Sequence, residues 1–510
     1  MIISLSVLVI TIIVSGTYAL YKAQLSKNIG VNTTTHGLAY YINYVKGTDI
    51  TAATLNPSTS YEGGASSDIE FWKKDDSYDI YGKIELTVNT IGTNLSNSPA
   101  LKYAVVNNGN VLKEGSLKGT TSGSKVTILK NLYLEQTKQI YTVYVWLDNS
   151  EELGNISNES LSILVDCTAS LQKEPTAADT IISLYTSAAK VTATNNSITY
   201  NTAPSVSLMN DRLGGTTTDL DGGNIRYYGA NPNNYIYFNC SDYSNQTSST
   251  CETWRIIGVF DGKLKLIKSE SIGAYSWDNK DTSTGAENDT GKNDWTTARL
   301  MKLLNPSNYY KVDSNDNNLG QSLYYNSASG KCYSGQNNAT VDCDFTSTGI
   351  KNAETRNMIA ETTYNLGGWN SNSVYSNQIY EYERGTTVYS GRPTTWKGKI
   401  ALAYPSDYGY AADLNQCKDK TLYDYDNRTC TSNNWMKAII TNNGSNTGWL
   451  LTPRSGSSSN AWYVNSGGFV SRDSIAYVAY GAVPVLSLSS ELGIESGGDG
   501  SSSKPYKLSA

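Results

Sequence analysis

The residue types that could do chemistry are unevenly spread along this chain. One histidine, His36, serves 510 residues. A Ser-His-Asp triad or a Cys-His dyad would have to use it, and a multi-histidine metal site is excluded. It sits in Asn32-Thr33-Thr34-Thr35-His36-Gly37, a solvated loop or strand position. The cysteines are more telling. Cys240 and Cys251, Cys332 and Cys343, and Cys417 and Cys430 form three local pairs, too widely spaced for a metal-binding CxxC. They predict disulfides that close polar loops, bonds that persist only in an oxidising compartment. Cys167 is left over after Leu161-Ser162-Ile163-Leu164-Val165-Asp166. It reads either as a buried strand-end thiol or as one half of an intermolecular bond.

Trp449, Arg454, Trp462, Asn465, Tyr477 and Tyr480 gather late in the chain and are the candidate ligand-binding residues. Aromatic faces stack on sugar rings while amides and a guanidinium fix hydroxyls. The plainer alternative is that the tryptophans fill a small core. Tyr, Asn and Ser on the surface also suit adaptable protein contacts. Asp313-Ser314-Asn315-Asp316-Asn317-Asn318 has the oxygen density of a calcium loop. An EF-hand needs Gly sixth and Glu twelfth, where this chain has Asn318 and Tyr324. A solvated turn is the simpler reading, so no metal or cofactor is expected and calcium is the one candidate. Asp407 with Asp413, or Glu381 with Glu383, could be nominated as the paired acids of a glycoside hydrolase, which flank a cleft about 5–10 Å apart. With 46 acidic residues, chance supplies such pairs. The expectation is therefore a non-enzyme, with a polymer-degrading hydrolase as the minor alternative.

The chain as a whole narrows the classes further. Lys and Arg total 40 against 46 Asp and Glu, a net charge of -6 with pI near 5.1. Nucleic-acid binders show a basic domain or stripe, so no nucleic-acid partner is expected. Charged residues are 17% of the chain, below the usual share of about 25%. Ser, Thr, Asn, Gly and 39 Tyr must carry the polar surface. Ile2 to Tyr21 is uncharged and mostly apolar, long enough to cross a bilayer core, and ends in the small-residue run Ser15-Gly16-Thr17-Tyr18-Ala19. No basic segment precedes it. Residues 1–21 read as a cleaved signal peptide or a retained membrane-anchor helix, and either places the remainder outside the cell.

Residues 26–170 read as all-β. Ile84, Leu86 and Val88 alternate with polar residues, as do Leu101, Tyr103 and Val105, then Tyr141, Val143 and Val145, then Leu161, Ile163 and Val165. Asn107-Asn108-Gly109 is a turn signal. Residues 171–223 read as a linker with one short helix, Thr176 to Tyr185. Residues 224–493 form the second domain. Its clearest element is a hairpin, Trp254–Phe260 and Lys263–Ile267 about Asp261-Gly262. Helices are predicted over Trp295–Leu304, Ala353–Tyr364 and Asn434–Ile440. Residues 494–510 contain Gly497-Gly498-Asp499-Gly500-Ser501-Ser502-Ser503, which lacks a Walker lysine and reads as a flexible tail.

Two resemblances join this reading. Gly16-Thr17-Tyr18-Ala19 and the strand Tyr141-Thr142-Val143-Tyr144-Val145-Trp146-Leu147-Asp148, followed by Glu151, Glu152 and Asn155, resemble the camelysin/TasA family of matrix-fibre proteins. That resemblance implies a jelly-roll domain after an export peptide, and self-assembly. The later half resembles an uncharacterised bacterial surface domain similar to the formylglycine-generating-enzyme and C-type-lectin-like fold. The residues that carry it are Trp254-Arg255-Ile256-Ile257-Gly258, the Trp295–Asn305 segment, Ile400-Ala401-Leu402-Ala403-Tyr404, Trp449-Leu450-Leu451-Thr452-Pro453-Arg454-Ser455, Ala461-Trp462-Tyr463-Val464-Asn465 and Tyr480-Gly481-Ala482-Val483-Pro484-Val485-Leu486. Val483 stands where that family's closing motif carries an arginine, so no contact through that arginine is implied.

The expectation is a mainly β chain with an α+β second domain: an N-terminal β-sandwich or jelly roll, then a C-type-lectin-like domain. Its expected function is that of an exported cell-surface protein, adhesive or ligand-binding toward a glycan or a surface protein. The alternative is a structural subunit of an extracellular matrix fibre.

Overall fold

The computed structural model describes residues 23–24, 41–51, 55–151, 153–156, 159–212, 222–279, 290–311, 319–335, 339–442 and 444–509. The apolar segment 1–21, His36 and the oxygen-rich run 313–318 lie outside the described residues. Among the described residues no helix is long and apolar enough to cross a membrane. The chain divides into two compact units, Met1–Glu174 and Pro175–Ala510.

The first unit is built from strands β1 (Ala23–Gln24), β2 (Ile42–Val45), β3 (Ile50–Thr51), β4 (Pro57–Ser58), β5 (Ala65–Lys73), β6 (Tyr81–Ile91), β7 (Leu101–Asn107), β8 (Asn110–Ser116), β9 (Lys125–Tyr133), β10 (Ile140–Asp148) and β11 (Leu161–Ser170). One sheet has the order β1-β11-β6-β9 with β3 also on β11. The other has the order β2-β5-β10-β7-β8 with β4 on β10. The period of two does the work: Ile84, Leu86 and Val88 are buried while their neighbours face outward. They meet Ile69, Phe71, Val143 and Val145 of the other sheet in one core, the arrangement of a sandwich. Asn108 and Gly109 both take positive φ, 49° and 76°, as the tight β7–β8 turn requires. Cys167 lies fully buried in this core and forms no disulfide. The buried-thiol alternative therefore describes it, since an intermolecular bond needs an accessible sulfur.

The second unit begins earlier and ends later than its sequence suggests. The helix Ala177–Ser187 is capped reciprocally by Thr176 and Asp179 and buries Ile181 and Tyr185. Strands β12 (Val191–Asn195), β13 (Ile198–Ala203) and β14 (Leu208–Asn210) then add in sequence to β15 (Ile225–Tyr227). Segment 171–223 is thus not a linker where it is described: its Thr/Asn-rich surface masks inward Ala193, Tyr200 and Leu208. The same sheet continues through β16 (Tyr235–Phe238), β17 (Glu252–Phe260) and β18 (Lys263–Lys268). Asp261 and Gly262 take φ of 48° and 71° in the predicted hairpin turn.

Strands β19 (Ala274–Ser276), β20 (Ser329–Tyr333), β21 (Thr340–Asp344), β22 (Thr362–Asn365), β23 (Thr395–Gly398), β24 (Ile400–Ala401), β25 (Gly448–Pro453), β26 (Asn460–Val464), β27 (Val470–Ile475), β28 (Ala479–Gly481) and β29 (Val485–Ser487) follow. The large sheet ends β18-β29-β24, and a second sheet has the order β19-β28-β25-β26-β27. Strands β30 (Gly493–Ile494) and β31 (Leu508–Ser509) pair with each other. The described part of the tail, 494–509, is consequently folded, not flexible, because Tyr506 and Leu508 are buried and Gln246 exchanges two hydrogen bonds with Leu508, at 2.7 and 2.9 Å.

Helix expectations hold in part. The predicted Trp295–Leu304 helix starts only at Arg299, after turns. The Ala353 helix stops at Met358, and Thr362–Asn365 is a strand instead. The third helix is Met436–Thr441. All three expected disulfides are present, Cys240–Cys251, Cys332–Cys343 and Cys417–Cys430. They fit an oxidising environment. Among the described residues the chain is mainly β.

Candidate functional site

The late aromatic residues do not form a ligand face. Trp449 is directly opposite Tyr463 on the neighbouring strand, so Trp462, one residue earlier, points to the other side of the sheet. Trp449 and Leu451 enter one core, and Trp462, Leu450 and Val464 enter another. Trp449 and Trp462 are 1% and 0% exposed, so neither can stack on a ligand. Both are core residues, as the plainer reading held. Tyr480 does join Trp449, with ring centroids 4.8 Å apart, but only as half-buried packing. Tyr477 is half-buried and its carbonyl accepts a hydrogen bond from Ser276 at 2.6 Å. Arg454 turns to Asn370 Oδ1 at 2.7 Å and Asp473 at 2.6 Å. Asn465 closes a turn, its Oδ1 accepting from the backbone of Gly467 and Gly468. The six candidates therefore serve several different local roles.

The members of each nominated acid pair also sit in different environments. Glu381 and Glu383 lie two apart on the helix Ser376–Glu383, and only Glu381 is exposed. Glu383 is fully buried, and its two oxygens accept from the backbone nitrogen and hydroxyl of Ser406 at 2.9 and 2.5 Å. Burial pushes its pKa up to about 7. Asp413 accepts from the backbone of Asn415. Asp407 belongs to an ionic network. Its Oδ1 accepts from Arg226 Nη1 at 3.0 Å, and its Oδ2 contacts Lys265 Nζ and accepts from the Tyr404 backbone at 3.0 Å. Burial alone would raise its pKa, yet Lys265 and Arg226 together hold it below the ordinary carboxylate range.

That network supports the concave feature that the sequence reading missed. Arg226 Nε donates to Asp211 Oδ2 at 2.5 Å. Asp211 in turn accepts from both the backbone nitrogen and side-chain amide of Asn224, at 2.6 and 2.9 Å. The same amide donates to the Tyr380 hydroxyl at 2.9 Å. The guanidinium of Arg226 also lies against the rings of Phe260 and Tyr410, 4.6 and 4.7 Å from their centroids. Asn224 and Tyr380 are thus held from below by fixed charges.

Above them opens a cleft of about 450 Å³. The helix Ala177–Ser187 gives Ile182, the hairpin turn gives Asp261, and Ile225 and Val259 form the apolar wall. This volume falls within the range of small-molecule sites, roughly 300–1,000 Å³. Asn224 Oδ1 and the Tyr380 hydroxyl hydrogen take no partner among the described residues. Asp261 is the one charged side chain among the described residues of the lining. The cleft therefore offers an acceptor, a donor and a carboxylate beside an apolar surface. Asn224 and Tyr380 are 156 residues apart, and neither stands in a motif. The Asp261-Gly262 hairpin with its Val259 strand and the helix that carries Ile182 are the parts the sequence had marked.

Among the described residues there is no group of three or more His, Cys, Asp or Glu side chains arranged to hold a metal ion. No family model matches this chain, and no curated protein matches it. Among solved structures, the crystal structure of an HCR/D mutant is similar over 51% of this chain and 76% of that one, at 12% identity and a TM-score of 0.15. A likeness of that size carries no argument about fold or function.

Proposed function

We propose that this chain is an exported cell-surface protein that binds a sugar-like ligand in the cleft formed by Asn224, Tyr380 and Asp261. The observation that carries this reading is the unpartnered amide oxygen and phenol hydrogen, set side by side on an ionic frame. Neighbouring hydroxyls suit that pair, since each can give one hydrogen bond and take another. Ile182, Ile225 and Val259 suit the C–H face of a sugar ring, and Asp261 favours a neutral ligand over an acidic one. Three disulfides in a Tyr/Asn-rich unit support a site outside the cell. In this reading the second unit is the lectin-like binding domain, and the first is a jelly-roll module that anchors or assembles the protein. Residues 1–21 direct export or hold the membrane.

A glycan array probed with the oxidised full chain tests the proposal. Signals from neutral glycans that disappear in Asn224→Ala are expected. A blank array, or signals that persist unchanged in that variant, would refute it.

A further inference from the structure

The network beneath the cleft contains a pair that ligand binding does not use. Lys265 on β18 and Asp407 on the helix Pro405–Tyr410 are 142 residues apart in sequence. Their side chains are 7% and 1% exposed, and Lys265 Nζ contacts Asp407 Oδ2. Among the ion pairs of the described residues, this is the one lysine–carboxylate pair with both side chains more than nine-tenths buried. The amine lies against the rings of Phe260 and Tyr404, 4.9 and 4.6 Å from their centroids. Both oxygens of Asp407 are fixed by other donors, Oδ1 by Arg226 Nη1 and Oδ2 by the Tyr404 backbone nitrogen.

We propose that Lys265 and Asp407 condense into an intramolecular isopeptide bond that ties β18 to the helix Pro405–Tyr410. The Lys265 Nζ–Asp407 Cγ bond forms and the Asp407 Cγ–Oδ2 bond breaks. One ammonium hydrogen stays on the amide nitrogen, and the other two leave with Oδ2 as water. A cation and an anion are consumed together, so the product is neutral and no oxidant, cofactor or further reactant is needed.

Four features of the site favour the step. The reacting groups are held in contact, which replaces a collision with a fixed geometry. Two buried charges vanish, and with them the desolvation penalty of keeping both away from water. Arg226 sits on Oδ1, the oxygen that stays behind as the amide carbonyl, where it opposes the negative charge that builds during attack. Burial also lowers the pKa of Lys265, which brings the neutral, nucleophilic amine within reach.

Intact mass spectrometry of the full chain, unfolded and with its disulfides kept, reads the outcome directly. The expected mass is one water below that of the disulfide-bonded chain. A tryptic digest should contain one joined species carrying Lys265 and Asp407, with no cleavage after Lys265. Lys265→Arg and Asp407→Ala should each restore the full mass, a readout that does not require either variant to fold. The full mass in the unsubstituted protein, or a water loss that maps away from these two residues, would overturn the proposal.

Discussion

Arg226 and Asp407 meet at 3.0 Å with 1% of each side chain exposed, and this contact links the β15 strand to the helix Pro405–Tyr410 at the base of the cleft. Arg226 simultaneously holds Asp211, the residue that orients Asn224. The cleft geometry therefore depends on one buried cation. Replacing it strands a carboxylate in the interior, where an uncompensated charge costs about 3–5 kcal/mol. Arg226→Met should lower the stability of the second unit by that order, as read from denaturant midpoints. A loss within error of zero would mean that Asp211 reaches water in the folded state.

Trp449 and Trp462 make opposite predictions under a binding role and a core role. As core residues, either one changed to Ala should cost about 3–5 kcal/mol through the cavity left behind. Ligand binding by the protein that remains folded should be unchanged, because neither ring reaches the cleft. Thermal unfolding combined with a binding titration separates the two roles.

Stability should also depend on pH in an unusual direction. Burial raises Asp278 from 3.8 to about 7 and Glu383 from 4.5 to about 7. Each carboxyl keeps a proton in the folded chain that the unfolded chain has already released. The folded state thus binds more protons between roughly pH 4 and 7, and stability falls as pH rises through that window. The fall should be on the order of a few kcal/mol per group. Unfolding midpoints measured at intervals across it should drop, and Glu383→Gln with Asp278→Asn should flatten the profile. A midpoint that climbs toward neutrality in the unsubstituted protein would be the contrary result.

The cysteines can be sorted by reactivity. A thiol reagent applied to the native protein should label nothing, since six sulfurs are bonded and Cys167 is buried. After unfolding without reductant it should label Cys167 alone. Each disulfide spans 11 or 13 residues and should contribute roughly 2–3 kcal/mol by restricting the unfolded chain. A mild reductant should therefore lower the melting temperature of the second unit and leave the first unit's unchanged.

What the sequence made legible follows from the range of the forces involved. Alternation in Tyr81–Ile91 is local, and burial of one face turns it into a strand in the expected place. Asp261-Gly262 declares a turn because both residues must take positive φ. The cysteine pairs are short loops, so proximity in sequence already implies proximity in space. The cleft is different in kind. Asp211, Asn224, Arg226, Tyr380 and Asp407 are ordinary polar residues until tertiary packing gathers them. The tryptophans left two readings open for a related reason: ring chemistry is the same in a core as on a ligand face. Segments 171–223 and 494–510 looked like linker and tail because small polar residues dominate them, while a few inward groups such as Tyr185, Tyr200 and Tyr506 tie them down.

The direct test of the cleft as the binding site is a calorimetric titration of the best neutral glycan against the unsubstituted protein and Tyr380→Phe. That substitution removes one hydroxyl and leaves the ring. Loss of one hydrogen bond predicts an affinity weaker by roughly threefold to tenfold, with the melting temperature nearly unchanged. Equal dissociation constants for the two proteins would contradict the account and move the ligand to another surface.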